Sequence, residues 1–435
     1  MGFFISINMT SLKKLYKKFC ESSGFTTDTR KIERNNIFFA LKGENFNGNA
    51  FAQQALKMGC AYVVIDEKQI INDDRYLLVE DVLTTLQQLA TYHRKTLKIP
   101  ILALTGSNGK TTTKELIASV LKKKFKVLAT KGNLNNHIGV PLTLLSIKTS
   151  HEIAVIEMGA NHQKEIHDLC EIAQPDMGLI TNIGSAHLEG FGGIKGVIKG
   201  KTEMYDYLKQ NKRSVFFNID NPLLESLVPK NINTFSYGVS SKAYCSFNII
   251  KENDYATISY DNTLMKSQLQ GDHQYENIAV AVCIGKYFNI NTKDISDAIN
   301  EYIPSDNRSQ ELKTAKNMIF LDAYNANPTS MKVSLHHFLK GSNINKIVIL
   351  GDMFELGEYS KSEHTAIIKL LEAHKNIEAY LVGQAFYENK KDNTFKYFKN
   401  TQECFNYIKQ NQLKDKSILI KGSRSMKLEK LTDIL

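Results

Sequence analysis

The stretch from Ile101 to Lys124, ILALTGSNGKTTTKELIASVLKKK, constrains the fold more than any other part of the sequence. An apolar run ends in a glycine-containing turn, and a helical pattern begins after Gly109, Lys110 and Thr111. The backbone N–H groups of such a turn, followed by a helix N-terminus, form a cradle for anions. This order of strand, turn and helix predicts a phosphate-binding loop in an α/β domain.

The spacing within the turn differs from that of the usual nucleotide loop, which has four residues between its two glycines. Here two residues separate Gly106 from Gly109. In a nucleotide loop the lysine neutralises phosphate oxygens and the next hydroxyl binds Mg²⁺, roles that would fall to Lys110 and Thr111. The alternative interpretation is a well-capped turn without a ligand. The apolar strand before the turn and the helix after it favour phosphate binding.

Short apolar strands alternate with helical stretches along most of the 435 residues. Continuous apolar strands separated by helices are typical of parallel sheets covered by helices. A chain of this length also exceeds one ordinary domain. We therefore predict an α/β protein of three domains: an N-terminal α/β domain over residues 1–96, a central parallel-sheet domain over 97–306, and a C-terminal Rossmann-like domain over 307–435.

Composition argues against several classes of protein. The net charge of +10 comes without a block of five like charges or an aromatic-interleaved basic stripe, so nucleic acid is not an expected partner. The six cysteines form no CxxC pair, which argues against zinc and a disulfide framework. No run of about 18 apolar residues predicts a membrane span. The N-terminal stretch lacks the basic region of a signal peptide, so we expect a cytoplasmic protein.

The short loop TGSNGKTTT resembles the nucleotide loop of the Mur ligase superfamily, which also includes folylpolyglutamate synthetases. Five further stretches resemble family motifs in the same order: VIEMGAN (155–161), NIGSAHLEGFGG (182–193), KGKTEMY (199–205), GDHQYENIAVAV (271–282) and PSDNRSQ (304–310). The resemblance implies that ATP is bound by Gly106, Ser107, Asn108, Gly109, Lys110, Thr111, Thr112, Asn277, Arg308 and Asp322. Among these, Asn277 would contact the adenine.

The resemblance also implies two Mg²⁺ ions. Thr111 would bind the first, and the second would be held by Glu157, His187 and a carbamylated lysine, which aligns with Lys201 rather than Lys199. Two carboxylate-like ligands and one imidazole suit Mg²⁺ or Mn²⁺ better than zinc. The implied catalytic residues are Lys110, Glu157, His187, Lys201 and Arg308.

Five longer stretches resemble one branch of the family. DTRKIERNNIFFALKGENFNGNAF (28–51) is similar to a uridine-nucleotide-binding segment, although Asn47-Gly48 stands where an acidic residue is common. The other four are similar to members that join D-alanyl-D-alanine to UDP-N-acetylmuramoyl-tripeptide: GNLNNHIGVPLTLL (132–145), LDAYNANPTSM (321–331), LGDMFELGEYS (350–360) and KGSRSMKLE (421–429).

This similarity implies an ATP-dependent ligase of peptidoglycan precursor synthesis, acting through an acyl phosphate and as a monomer. It would serve cell-wall biogenesis and thereby cell shape and division. The implied substrate-binding residues are Asp28, Thr29, Asn135, Asn136, Tyr324, Asn325, Asn327, Ser423 and Arg424.

Three alternatives remain at this point. The neighbouring ligase that adds the third amino acid, or a folylpolyglutamate synthetase, would need a different motif in the third domain. A non-catalytic nucleotide-binding regulator should lack some of Glu157, His187 and Lys201, and all three are present. Either lysine or diaminopimelate can stand third in the acceptor peptide.

Overall fold

The structure is a computed structural model that describes residues 9–68, 73–251, 254–304, 308–341, 345–374, 377–390 and 394–435. The predicted boundary between residues 306 and 307 lies outside this part, as do three residues of the PSDNRSQ stretch. The chain forms two compact units. The first comprises 1–103, 126–158 and 167–176; the second comprises 104–125, 159–166 and 177–435.

Helices and strands alternate along the described residues, as predicted. The α-helices are α1 Leu12–Glu21, α2 Ala52–Lys57, α3 Val82–Thr96, α4 Lys110–Lys122, α5 Gly139–Leu145, α6 Glu165–Ala173, α7 Leu188–Phe191, α8 Ile194–Gln210, α9 Pro222–Leu227, α10 Gln274–Tyr287, α11 Thr292–Asn300, α12 Pro328–Lys340, α13 Ser360–Glu372, α14 Gln384–Glu388 and α15 Thr401–Gln410.

The strands are shorter on average than the helices. They are β1 Gly24–Thr26, β2 Asn36–Phe39, β3 Lys42–Gly43, β4 Phe46–Asn47, β5 Tyr62–Ile65, β6 Tyr76–Leu78, β7 Ile101–Thr105, β8 Val127–Ala129, β9 Ile153–Glu157, β10 Met177–Ile180, β11 Ser214–Asn218, β12 Thr234–Gly238, β13 Cys245–Ser246, β14 Asn248–Ile250, β15 Tyr255–Tyr260, β16 Thr263–Gln270, β17 Gln310–Lys313, β18 Asn317–Asp322, β19 Lys346–Gly351, β20 Glu378–Val382, β21 Lys396–Phe398 and β22 Lys416–Lys421.

The first unit begins with a parallel sheet in the order β1-β2-β5-β6. Its core is apolar because β2, β6 and most of β5 are buried, and α2 supplies Ala52 and Ala55 to the same cluster. Further along the unit β8 pairs in parallel with β9. The amide of Ala154 on β9 donates to Pro100 O at 3.1 Å, so β9 runs beside the start of β7.

The second unit contains two larger sheets. Strands β10 to β13 pair in parallel in sequence order, and the amide of Thr181 after β10 donates to Thr105 O at 2.9 Å. The other sheet has the order β17-β18-β22-β19-β20-β21. Strands β14, β15 and β16 form a small antiparallel sheet. In the sequence they lie between the strands of the two larger sheets. The predicted α/β class is therefore confirmed.

The C-terminal sheet departs from the prediction at one edge. We expected a parallel unit, but β17 pairs antiparallel with β18, whereas β18, β22, β19, β20 and β21 are parallel. Strand β17, with the sequence QELK, has no fully buried residue. An edge strand needs only one partner and tolerates exposed polar side chains, so it gives no apolar run in the sequence.

Two further properties concern membrane-spanning helices and the state of the cysteines. None of the helices in the described part of the chain is long and apolar enough to cross a membrane. All six cysteines are free thiols; Cys20 on α1 is exposed and the other five are buried.

Candidate active site

The glycine loop between β7 and α4 is fixed by two left-handed glycines. Gly106 has φ +147°, and a Cβ there would lie 2.0 Å from the Thr181 hydroxyl oxygen. Gly109 has φ +76° and caps the N-terminus of α4; a Cβ there would lie 2.7 Å from Asn277 Oδ1. Both positions require glycine because a side chain would meet strain and a collision together.

The loop is bound to the chain that follows β10. The Ser107 hydroxyl donates to Gly184 O at 3.0 Å, and the Gly184 amide donates back to it at 2.9 Å. The Asn108 amide donates to Asn182 Oδ1 at 3.0 Å, and the Thr181 hydroxyl donates to Asn108 O at 2.6 Å. Ser107 and Asn108 therefore shape the loop.

Lys110, Thr111 and Thr112 form the first turn of α4. The Lys110 ammonium donates to Gly106 O at 2.7 Å and to Ser107 O at 3.3 Å, which holds the positive charge over the loop. Thr111 is buried and Thr112 is half-buried. Positive charge at a helix N-terminus suits a phosphate group.

Asn277, predicted to contact adenine, lies beneath the loop. Its Oδ1 accepts from the Thr113 hydroxyl at 2.9 Å, and its Nδ2 donates to Gln274 Oε1 at 2.7 Å. These bonds tie α10 to α4, so the residue supports the loop; its contact with the base stays a prediction.

In the first unit, Glu157 ends the buried strand β9 and is itself 1% exposed. Asn135 Nδ2 donates to its Oε1 at 2.8 Å, and the Glu157 amide donates to the Thr130 hydroxyl at 3.0 Å. Asn135 thus orients the carboxylate. Asn136 Oδ1 accepts from the Gly139 amide at 2.9 Å and stabilises the start of α5.

Lys201 lies inside the second unit, on the inner face of α8. Its side chain is 1% exposed, the ammonium donates to Ala160 O at 3.1 Å, and Nζ lies 5.0 Å from the centre of the Phe191 ring. Burial, with a smaller contribution from the charge of Lys110, lowers the pKa of Lys201 to about 7. Lys199, two residues earlier, is exposed.

His187 precedes α7 and is hydrogen-bonded through Nδ1 to Glu355 Oε2. This hydrogen bond lowers the pKa of Glu355. Glu355 could not be identified from the sequence because one glutamate in a glycine-containing loop carries no local pattern. The conspicuous stretch GDMFELG was its only signal.

The NANP stretch (residues 325–328) is hydrogen-bonded to the nucleotide loop. Asn327 caps α12 through the Ser330 amide, with Pro328 as the first helical residue. The Nδ2 of Asn327 also donates to Asn108 Oδ1 at 2.7 Å. The Ser185 amide donates to the Thr329 hydroxyl at 3.0 Å. The start of α12 is therefore bonded to the loop and to the chain after β10.

Two guanidinium groups lie against the ring of Tyr324. The Arg308 guanidinium carbon lies 3.4 Å from the centre of the tyrosine ring, and that of Arg424 lies 4.6 Å from it. Arg308 Nε is buried and has no hydrogen-bond partner. Two like charges at one ring favour the binding of an anion between or beside them.

Three other predicted contact residues of the C-terminal domain form hydrogen bonds within the protein, and their contacts with ligands stay predictions. Asp322 accepts from the buried Lys421 ammonium at 2.5 Å and from the Ser334 hydroxyl at 2.8 Å. Asn325 Oδ1 accepts from the amide of the next residue at 2.9 Å. The Ser423 hydroxyl accepts from the Phe354 amide at 3.0 Å.

Asp28 and Thr29, predicted to contact the uridine nucleotide, lie in the first unit. Asp28 accepts from Arg30 Nε at 2.9 Å and Nη2 at 2.8 Å, and these bonds lower the pKa of Asp28 to about 2. Thr29 starts a short 3₁₀ helix that Asp28 caps. Both contacts with substrate stay predictions.

Within the described ranges no cluster of three or more His, Cys, Asp or Glu side chains is placed to hold a metal. The roles of Glu157, His187 and Lys201 as metal ligands stay predictions.

A cavity of about 500 Å³ opens at the carboxyl ends of β19, β20 and β21. Three lysines line it, together with the N-terminal turn of α15 and the chain after β22. Open parallel sheets bind ligands at this edge. The three lysines are Lys399, Lys427 and Lys430.

The loop and the parallel sheets define an α/β protein that binds a nucleoside triphosphate. More particularly, the chain belongs to the Mur ligase family: residues 21–98 match the "Mur ligase family, catalytic domain", 104–285 the "Mur ligase middle domain" and 307–424 the "Mur ligase, glutamate ligase domain".

Three relatives show how far the similarity extends. The UDP-N-acetylmuramoyl-tripeptide–D-alanyl-D-alanine ligase of Bacillus subtilis is 34% identical over 94% of this chain and 92% of its own. A crystal structure of MurF from Acinetobacter baumannii has a TM-score of 0.85 at 28% identity and covers 99% of both chains. MurF ligase from Thermotoga maritima in complex with ADP has a TM-score of 0.82 at 27% identity, covering 95% of this chain and 97% of its own.

Proposed function

We propose that this chain is an ATP-dependent ligase that joins the amino group of D-alanyl-D-alanine to the terminal carboxylate of UDP-N-acetylmuramoyl-tripeptide. The observation that supports it most is the hydrogen bond from Asn327 to Asn108, because it brings the NANP stretch of the third segment to the nucleotide loop. Full-length relatives are named for this activity. The reaction belongs to the synthesis of peptidoglycan precursors.

The chemistry explains why the site needs cationic groups. A carboxylate forms an amide only after activation, here by transfer of the γ-phosphoryl group of ATP to give an acyl phosphate and ADP. The dipeptide amine then attacks the acyl carbon, loses a proton and displaces phosphate. Lys110 and Arg308 would stabilise the negative charge that develops on the phosphoryl oxygens. Asn108 and Asn182 keep the loop in shape for that contact.

Magnesium fits the oxygen and imidazole donor groups of the proposed site. Thr111 at the first turn of α4 would bind one ion, and Glu157, His187 and a carbamate on Lys201 would bind a second; Mn²⁺ would serve as well. Glu157 suits the role because Asn135 holds one carboxylate oxygen and so fixes the group's direction. Bound Mg²⁺ would neutralise phosphate charge.

Lys201 suits carbamylation because burial lowers the pKa of its amine to about 7. The neutral nitrogen adds to CO₂, a nitrogen–carbon bond forms and one proton is released, which leaves an anionic carbamate. An ammonium offers a metal three donors and no lone pair, whereas a carbamate offers two oxygen acceptors. Its surroundings include Ala160 O and the Phe191 ring, and burial together with the charge of Lys110 outweighs the opposing effect of Glu165 and Glu203 on its pKa.

We assign the dipeptide to the cavity at the carboxyl ends of β19, β20 and β21. Its volume of about 500 Å³ is sufficient for a dipeptide, and Lys399, Lys427 and Lys430 give it a positive lining for the dipeptide carboxylate. The segment from residue 28 to 51 would bind the uridine nucleotide. We further propose that the enzyme works as a monomer in the cytoplasm.

Phosphate release from purified enzyme tests the function. We expect release only when ATP, Mg²⁺, UDP-muramoyl-tripeptide and D-alanyl-D-alanine are all present, and tripeptides with lysine or diaminopimelate should be compared. Turnover with UDP-muramoyl-dipeptide and a single amino acid, but none with the dipeptide, would assign the chain to the neighbouring ligase. Binding of ATP without any turnover would favour the regulator.

A further inference from the structure

We infer that Glu355 is a positioning residue that orients the imidazole of His187 for metal binding. Glu355 has no part in the proposed function, but the inference rests on the metal role proposed there for His187. The two residues come from distant parts of the chain, 168 positions apart.

The contact leaves one ring nitrogen for a metal. His187 Nδ1 is hydrogen-bonded to the Glu355 carboxylate, so only Nε2 remains to coordinate an ion. A carboxylate on one nitrogen places the proton there and fixes the plane of the ring, which is the arrangement found behind many metal-binding histidines. Glu355 would thus select both the tautomer and the direction of His187.

The backbone around this pair is held in an uncommon conformation on both sides. His187 has φ 53° and Glu355 has φ 61°, a region that costs a non-glycine residue about 1 kcal/mol or more. The Glu189 amide donates to Glu355 O at 3.3 Å, and Gly357, at φ 53°, lies against the Glu189 side chain. Backbone and side chain of Glu355 therefore both contact the His187 loop.

The turn that carries Glu355 is anchored behind the contact. The Met353 amide donates to Nε2 of the fully buried His364 at 3.1 Å, and the Phe354 amide donates to the Ser423 hydroxyl at 3.0 Å. These bonds fix the two residues before Glu355 to α13 and to the chain after β22. A carboxylate on such a frame has a defined position rather than that of a mobile surface side chain.

This arrangement makes the C-terminal domain (residues 307–435) part of the metal site. Glu355 belongs to the GDMFELG stretch, whereas His187 belongs to the loop after β10. The imidazole is oriented only while these two stretches remain in contact, so a metal-competent His187 requires the dipeptide-binding part of the chain in place.

The experiment compares Glu355→Ala and Glu355→Gln with Glu358→Gln, a matched control on the same exposed turn. In metal-free protein, ¹⁵N NMR of the histidine rings should show His187 as the Nδ1–H tautomer in wild type and control, and as a mixture in Glu355→Ala. In the ADP complex, Mn²⁺ binding followed by electron paramagnetic resonance should weaken about 10-fold to 100-fold in Glu355→Ala. Glu355→Gln keeps a hydrogen-bonding group without the charge and should lose less.

A double-mutant cycle separates this role from a general effect on stability. If Glu355 acts through His187, Glu355→Ala should add nothing to the loss of Mn²⁺ affinity caused by His187→Ala. An additive loss, or wild-type Mn²⁺ binding and tautomer in Glu355→Ala, would overturn the inference and leave the proposed ligase intact. Wild-type Mn²⁺ binding in His187→Ala would remove the metal role of His187 from the proposed function, and this inference with it.

Discussion

Replacing Lys201 by alanine tests the least usual part of the proposed site. At pH 7.5 a lysine with the ordinary pKa of 10.5 is only about 0.1% neutral, whereas a pKa of about 7 leaves about three quarters of the amine neutral. Burial thus raises the neutral, reactive fraction of the Lys201 amine by several hundred-fold. Lys199, two residues earlier on the same helix, is exposed to solvent.

We expect Lys201→Ala to lose activity by at least about 100-fold, since even the partners of metal ligands contribute about 10-fold to 100-fold. ADP binding, measured by calorimetry, should persist because Lys110 and the loop amides remain. A short-chain carboxylate such as propionate should restore part of the phosphate release in this variant alone, by placing an anion in the vacated space. Lys199→Ala should stay active without any additive.

Carbon dioxide and pH provide an independent check. A protonated amine cannot add CO₂, so in CO₂-depleted buffer wild-type activity should fall as the pH decreases through about 7 and recover with bicarbonate. The propionate-rescued Lys201→Ala enzyme should lack this dependence. Full activity in Lys201→Ala would refute the carbamate, whereas a dead but rescuable Lys199→Ala beside an active Lys201→Ala would show that the wrong lysine had been chosen.

Two further substitutions test the loop and the arginine pair. Gly106→Ala should abolish ADP binding and lower the free energy of unfolding by about 2–3 kcal/mol, because its Cβ would lie 2.0 Å from a hydroxyl oxygen. Gly132→Ala, also at positive φ but in open space, should cost only about 1 kcal/mol in urea unfolding and keep ADP binding. Tyr324→Leu should raise the KM for ATP about 10-fold by releasing Arg308 and Arg424, whereas Tyr324→Phe should stay near wild type. An unchanged KM in Tyr324→Leu would contradict a role for the ring in holding the arginines.

The sequence predicts those features that depend on neighbouring residues. Strand β7, the glycine turn and α4 follow from apolar runs and helical spacing. The edge strand β17 was missed because a polar strand with one partner has no apolar period. Contacts between distant residues were also missed. Asn108 and Asn327 are 219 residues apart in the sequence, and Glu355 and His187 are 168 residues apart. Only the tertiary fold brings the members of each pair into contact.

The distribution of thiols has a practical consequence for following this protein in solution. Burial raises the pKa of Cys60 to about 11 and that of Cys404 to about 12, so these thiols stay protonated as well as shielded. Cys20 is the one exposed thiol among the six. A maleimide dye should therefore attach to the folded wild-type chain at a single point on α1. Fluorescence anisotropy or surface tethering would then need no engineered cysteine and would leave every proposed active-site residue in place.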